Sequence, residues 1–128
     1  MADVAVWTDT GLAKVTDLLA SVSVITPHWV AWGVLAVAAA DPADTALESA
    51  GAEARTVGTM TQETTTATND TYRVIGLITC AGADKTIKEV GLFSALTNGT
   101  LSMRGTFSDI NVSVGDSITF TINNVFTR

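Results

Sequence analysis

The sequence predicts an all-β fold, an antiparallel β-sandwich of jelly-roll-like kind, with a short N-terminal helix and a short helical turn in its first long loop. Two observations carry this. Residues 72–126 fall into short alternating segments, at 72–78, 87–93, 101–107 and 117–122, each about the length of an ordinary strand. Turn residues separate them. Asn98-Gly99 tolerates the positive φ that a type I′ hairpin turn requires, and Gly115-Asp116 marks a second turn before the last segment.

The earlier elements follow in chain order. Thr8-Asp9-Thr10 offers capping residues ahead of Leu12, Val15, Leu18 and Leu19 at helical spacing, which predicts a helix over 11–20 lying across one end of the sheets. Residues 29–37 form an apolar run with two tryptophans, the pattern of a strand buried on both faces and therefore central. Trp29 and Trp32 are an odd number of positions apart, so they point to opposite faces of that strand and at least one is core. Trp7, ahead of the helix, reads as an anchor onto the domain or onto a neighbouring subunit. After Asp41, Pro42 suits the first turn of a helix and the alanine-rich stretch to Ala54 continues that bias, giving a loop with one or two helical turns. Residues 55–68 are dominated by threonine, whose branched Cβ favours extended structure while its hydroxyl faces water or a partner. An exposed strand is expected there, ending at Asn69-Asp70.

No repeat or low-complexity linker divides the chain, so residues 1–128 read as a single sandwich domain with an N-terminal arm and helix over 1–20. Its length is enough to bury a core without disulfides or metals. Thirteen acidic residues against seven basic ones give a net charge of −6, which speaks against nucleic acid and anionic membranes as partners. Abundant threonine, alanine, valine and glycine leave a surface of hydroxyls and small side chains, which packs against other proteins at low desolvation cost. Cys80 is the single cysteine, so a disulfide scaffold is not expected. The opening Met1-Ala2-Asp3 has no signal-peptide pattern, and synthesis in a cytoplasm is expected. The uncharged run 21–40 is interrupted by Pro27 and His28 and does not read as a membrane span.

Candidates for chemistry are few. His28 is the one imidazole available to a nucleophilic site, and beside Pro27 it reads as an edge or capping residue. Cys80 reads as a small buried hydrophobe. Asp41, Asp44 and Glu48 are spaced to share a helical face and could hold a hard cation, but a capped helical turn with acids near its positive end explains them as well. Asp109 and Asp116 could pair as acid and base, though turn chemistry accounts for both. Glycine-rich phosphate loops are absent. The sequons at Asn69, Asn98 and Asn111 arise easily in so Thr-rich a chain. A sugar-stacking platform of Trp7, Trp29 and Trp32 is disfavoured by the tryptophan parity. No catalytic, cofactor or metal residue is therefore assigned, and enzymatic activity is not expected.

Ala31-Trp32-Gly33, residues 44–48 (Asp44, Thr45, Ala46, Leu47, Glu48), Arg55, residues 88–95 with Glu89-Val90-Gly91-Leu92-Phe93 at their centre, Gly99-Thr100-Leu101, Arg104, Phe107, Ile110-Asn111-Val112 and Gly115-Asp116-Ser117 form an ordered series. In that order they resemble a family of small tailed-bacteriophage virion proteins described as tail-fibre-like, capsid-decorating or simply structural. The resemblance covers residues 11–122 and is best over 89–117. Where relatives often have a glycine-rich turn, this chain has Gly33-Val34-Leu35-Ala36-Val37 and reads on as strand. The resemblance implies a β-sandwich assembled on a virion, frequently as a symmetric oligomer, without enzymatic activity.

The expectation is a capsid decoration, or cement, protein: a homotrimer that binds the major capsid protein or other virion proteins and bridges capsid subunits. The chain carries no long fibre shaft, its acidity keeps it off DNA, and hydroxyl-rich strands suit contacts repeated by symmetry. The alternatives are a tail-fibre or baseplate component and a carbohydrate-binding adhesion module. Expected contact residues are Trp7 with the N-terminal arm, and Thr61, Glu63, Thr65, Thr66 and Asn69 of the threonine-rich strand.

Overall fold

A computed structural model of the chain describes residues 4–22 and 25–127; residues 1–3 of the expected arm and residues 23, 24 and 128 lie outside the described residues. The elements run β1 (Val4–Trp7), α1 (Asp9–Leu19), β2 (Trp29–Gly33), β3 (Thr56–Val57), β4 (Thr59–Glu63), β5 (Thr71–Thr79), β6 (Lys85–Phe93), β7 (Leu101–Val112) and β8 (Ser117–Val125). They make a β-sandwich of two antiparallel sheets, five strands in the order β1-β7-β6-β2-β3 and three in the order β4-β5-β8. The all-β sandwich is the one expected. The five-plus-three division gives no support to the jelly-roll likeness.

Alternation builds the core between the sheets. Val30 and Trp32 of β2 and Leu92 of β6 meet Val74 and Ile78 of β5 and Ile122 of β8. Each aliphatic side chain so removed from water contributes about 1.5–3 kcal/mol. A second cluster, on the other face of the five-stranded sheet, joins Ala31, Phe93 and Leu101 to Leu47, with Trp29 packed against it. The two tryptophans of β2 thus take opposite faces, and Trp32 is core at 1% exposure.

Four expected segments of the second half appear as β5 to β8, with β7 and β8 running further than the alternation alone suggested. Asn98 and Gly99 both take the left-handed φ expected of them, at 54° and 68°. The hairpin they belong to is wider than a two-residue turn, since the Ser94 N–H donates to the Thr100 carbonyl at 3.1 Å. The Gly115-Asp116 turn closes on an Asp116 N–H to Ser113 carbonyl bond of 2.9 Å.

Other expectations are corrected. The apolar run 29–37 is strand only to Gly33, where pairing with β6 ends opposite Glu89. There the backbone finds another partner: the Val34 N–H donates to Ser49 and the Gly51 N–H to Trp32, so the chain turns outward and Val37 is left 74% exposed. The middle of the five-stranded sheet is β6, not β2. Helix α1 begins at Asp9, capped by the Thr8 hydroxyl, which accepts the Gly11 N–H at 3.0 Å. It docks on the start of β7, through Thr8 N–H to Ser102 at 3.0 Å and Thr8 Oγ1–H to Leu101 at 2.5 Å. Val4–Trp7, expected as an arm, is an edge strand paired with β7. The threonine-rich strand is broken at Gly58 into β3 and β4, which lie in different sheets. At this corner the Gly58 N–H donates to His28 at 2.7 Å, and a Cβ on Gly58 would fall on Val74. Only a residue without a side chain lets the chain cross there.

Tyr72 ties the corner to the three-stranded sheet, its hydroxyl donating to the Pro27 carbonyl at 2.7 Å. Burial pushes this phenol from 10.0 up to about 12. A raised folded pKa means stability that is fully present below the unfolded value and lost as pH rises towards the folded one. Tyrosinate absorbance, read from the one tyrosine of the chain, is therefore expected to rise near pH 12, and the stability of the fold to decline as pH rises above about 10. A midpoint at the ordinary value with the fold intact would contradict the buried hydroxyl.

Candidate functional site

Residues 34–55 connect β2 to β3 and lie over the outer face of the five-stranded sheet, held by Arg104. This guanidinium, 2% exposed, reaches from β7 to Glu89 on β6 at 2.8 Å, and to Asp44 at 2.8 Å and Glu48 at 3.2 Å in the connection. Its Nη2 also donates to the Ala38 carbonyl at 3.3 Å. Glu89 is fully buried and its second oxygen accepts the Ser49 N–H at 3.3 Å. Gly33 leaves the space: a Cβ there would land on the Glu89 carboxylate. Burial pushes the Asp44 carboxyl up, but hydrogen bonds from Arg104 and from the Asp41 N–H outweigh it and hold Asp44 below its ordinary value. Nearby, Glu53 receives Trp32 Nε1–H at 2.9 Å and Lys85 Nζ at 2.5 Å, which likewise overcome its desolvation and keep its pKa low.

This network replaces the expected helical turn. Asp41 heads one tight turn, with Ala43 N–H on its side chain at 2.8 Å and Asp44 N–H on its carbonyl at 3.0 Å, and no helix follows. The Asp41 and Asp44 side chains make reciprocal bonds of the kind that cap a helix start, but Asp44 and Glu48 are drawn inward to Arg104, and the chain after this turn follows those contacts instead of continuing a helix. Among the described residues no group of three His, Cys, Asp or Glu side chains is placed to hold a metal ion.

The other candidates resolve into local partners. His28 Nδ1 lies 2.8 Å from the Thr26 carbonyl, and its ring lies beside Trp29. Cys80 is in the core, its thiol 3.3 Å from the Ala83 carbonyl, and burial pushes its pKa up. Asp109 lies within β7, not beside a turn, and pairs with Lys88 at 3.5 Å. Asp116 accepts the Ser113 N–H at 2.8 Å inside its turn.

The surface with most to offer a partner is the outer face of the three-stranded sheet. Register sets Thr59 beside Ile75 and Thr61 beside Arg73 on one side, and Thr121 beside Ile75 and Thr119 beside Leu77 on the other. Ile75 and Leu77 are 37% and 52% exposed in the middle of this face, ringed by hydroxyls. Its charge is one internal pair, Arg73 with Glu63 at 3.5 Å. Among the described residues β8 forms the sheet's far edge, and between that edge and Ala5 of β1 opens an apolar groove of about 580 Å³, lined by Met103, Phe107, Ile118 and Phe120.

The expected contact residues divide over this surface. Thr61 and Glu63 lie on β4, the Thr61 hydroxyl donating to Glu63 at 2.8 Å. Thr65, Thr66 and Asn69 belong to the turn after β4, shaped by the Asp70 carboxylate, which accepts the N–H groups of Thr65 and Thr66 at 2.9 Å and of Ala67 at 2.7 Å. Those bonds hold Asp70 well below the usual carboxylate range. Asn69 takes the left-handed conformation, with φ 59°. Trp7 is half-buried on β1, on the β8 side of the sandwich and so away from β4. The tryptophans make no common platform, because Trp32 is buried and Trp29 packs on the second cluster. Sequence reasoning missed Ile75, Leu77 and the β8 edge. A signal existed: residues 74–78 are apolar at both parities, more than a strand with one buried face requires.

Neither a protein-family model, nor a curated protein, nor a solved structure matches this chain. Among the described residues no helix is long and apolar enough to cross a membrane.

Proposed function

We propose that the protein is a non-enzymatic structural component of a tailed-phage virion, a trimeric capsid decoration protein that bridges capsid subunits. The observation that carries the reading is the hydroxyl-rich face of the three-stranded sheet, with Ile75 and Leu77 exposed at its centre on an otherwise acidic chain. Such a face suits a broad contact of low desolvation cost between copies of a symmetric oligomer, whose modest contacts with the shell then add up by repetition. The series of residues from Ala31 to Ser117 that resembles small virion proteins points the same way. No second reading gains from the geometry, since a sugar-binding platform needs aromatic faces and the exposed centre of this sheet is aliphatic.

The test is co-sedimentation of purified protein with emptied phage heads and with separated tails. Saturable binding to heads, in a fixed ratio to the major capsid protein, is the expected result. Binding to tails alone would move the protein to the tail, and binding to neither would end the virion reading.

A further inference from the structure

We infer that a second copy of this chain docks on the outer face of the three-stranded sheet and along its β8 edge. The inference deepens the self-association within the proposed function and rests on that part of it alone.

One feature that favours this contact is the edge. β8 runs for nine residues, Ser117–Val125, without a charge or a proline. Those are the devices by which an edge strand is kept from pairing with another chain, so a bare edge of this length is suited to being covered. The second is charge. Two copies of a chain of net charge −6 repel, and they meet most easily where neither presents carboxylates. Asp41, Asp70, Asp84 and Asp116 all lie in turns outside the strands, while the sheet face holds only the Arg73–Glu63 pair. A three-fold assembly joins two different surfaces at each contact, and the nearly uncharged face seated on the uncharged β8 edge of the next copy is the electrostatically cheapest such contact this surface offers.

The third is area. Strand spacing of about 4.8 Å and a rise of about 3.3 Å per residue make the face roughly 370 Å², so burying it against an equal area of the next copy covers roughly 700 Å² in all. A stable interface needs about 1,000 Å² or more. The β8 edge and the groove behind it, of about 580 Å³, supply the remainder when they are covered too. The face by itself is too small, which is why the edge belongs to the contact.

The experiment is the mass of the purified full chain by analytical ultracentrifugation, with no phage component present. The wild type is expected at a multiple of 13.3 kDa. Thr119→Lys with Thr121→Lys, which buries unpaired charges in the contact, is expected to lose the multimer and sediment at 13.3 kDa with an unchanged β-type circular dichroism spectrum. The same two charges placed elsewhere, by Ala46→Lys with Thr97→Lys, are expected to leave the multimer intact. Amide exchange on the wild type supplies a reading free of mutation: β8 protection is expected to fall on dilution while that of β6 holds. A wild type of 13.3 kDa at every concentration, or a multimer that survives the β8 substitutions, overturns the inference. A monomer that still binds phage heads overturns it while leaving the virion role standing.

Discussion

Arg104→Met is expected to destabilise the fold by about 3–5 kcal/mol, the usual cost of removing one partner from a buried ion pair. Asp44 and Glu48 are partly exposed and recover water when the guanidinium goes, but Glu89 is fully buried and keeps only the Ser49 N–H. The loss is then the uncompensated charge on Glu89, a large share of the roughly 5–15 kcal/mol that holds a domain of this size folded. Urea denaturation measures it directly. Adding Glu89→Leu to Arg104→Met is expected to restore most of the loss, because a buried pair exchanged for apolar groups of similar volume is commonly neutral or stabilising. An Arg104→Met variant within about 1 kcal/mol of wild type would show that the network holds little of the fold together. The connection it anchors should respond as well, with amides of residues 34–50 exchanging faster in the single variant.

That network marks where sequence reading stops. The strands β5 to β8 were legible because alternation and turn chemistry are local, and each segment from 72 to 122 carries its own period and its own stop. Arg104 finds Glu89 fifteen residues away, Glu48 fifty-six and Asp44 sixty. Nothing within the stretch from Asp41 to Glu48 announces that partner, so its local pattern of proline, alanine and acid reads as a helix start. The end of β2 at Gly33 was hidden for the same reason: apolar character continues to Val37, and what ends the strand is a main-chain bond from Val34 to Ser49 across the connection. Val4–Trp7 was too short and too free of turn signals to be told from an arm. As for the candidate surface, the threonines of β4 were legible from composition. The aliphatic centre at Ile75 and Leu77 was written in the sequence as apolar residues at both parities, and becomes meaningful only once one side of β5 is known to face outward.

Gly11→Ala is expected to destabilise the protein by about 2–3 kcal/mol, against the usual sign for a helix. In an exposed helix interior this change stabilises by about 1 kcal/mol, since alanine loses less backbone entropy than glycine. Gly11 is buried against β7, and a Cβ built there falls on the carbonyl oxygen, Cα and carbonyl carbon of Ser102. These are main-chain atoms at the start of β7, just before its pairing with β1 begins at Met103, so they have no rotamer through which to yield. The helix must lift instead, and lifting strains the Thr8 bonds to Ser102 and Leu101 that seat its first turn. Ala13→Gly, on the exposed side of the same helix, is the matched control and is expected to cost about 1 kcal/mol through propensity alone. If Gly11→Ala raises the thermal midpoint, propensity governs this helix and its seat on β7 is loose; if it lowers the midpoint by more than Ala13→Gly does, the close approach to Ser102 is what fixes α1 to the sandwich.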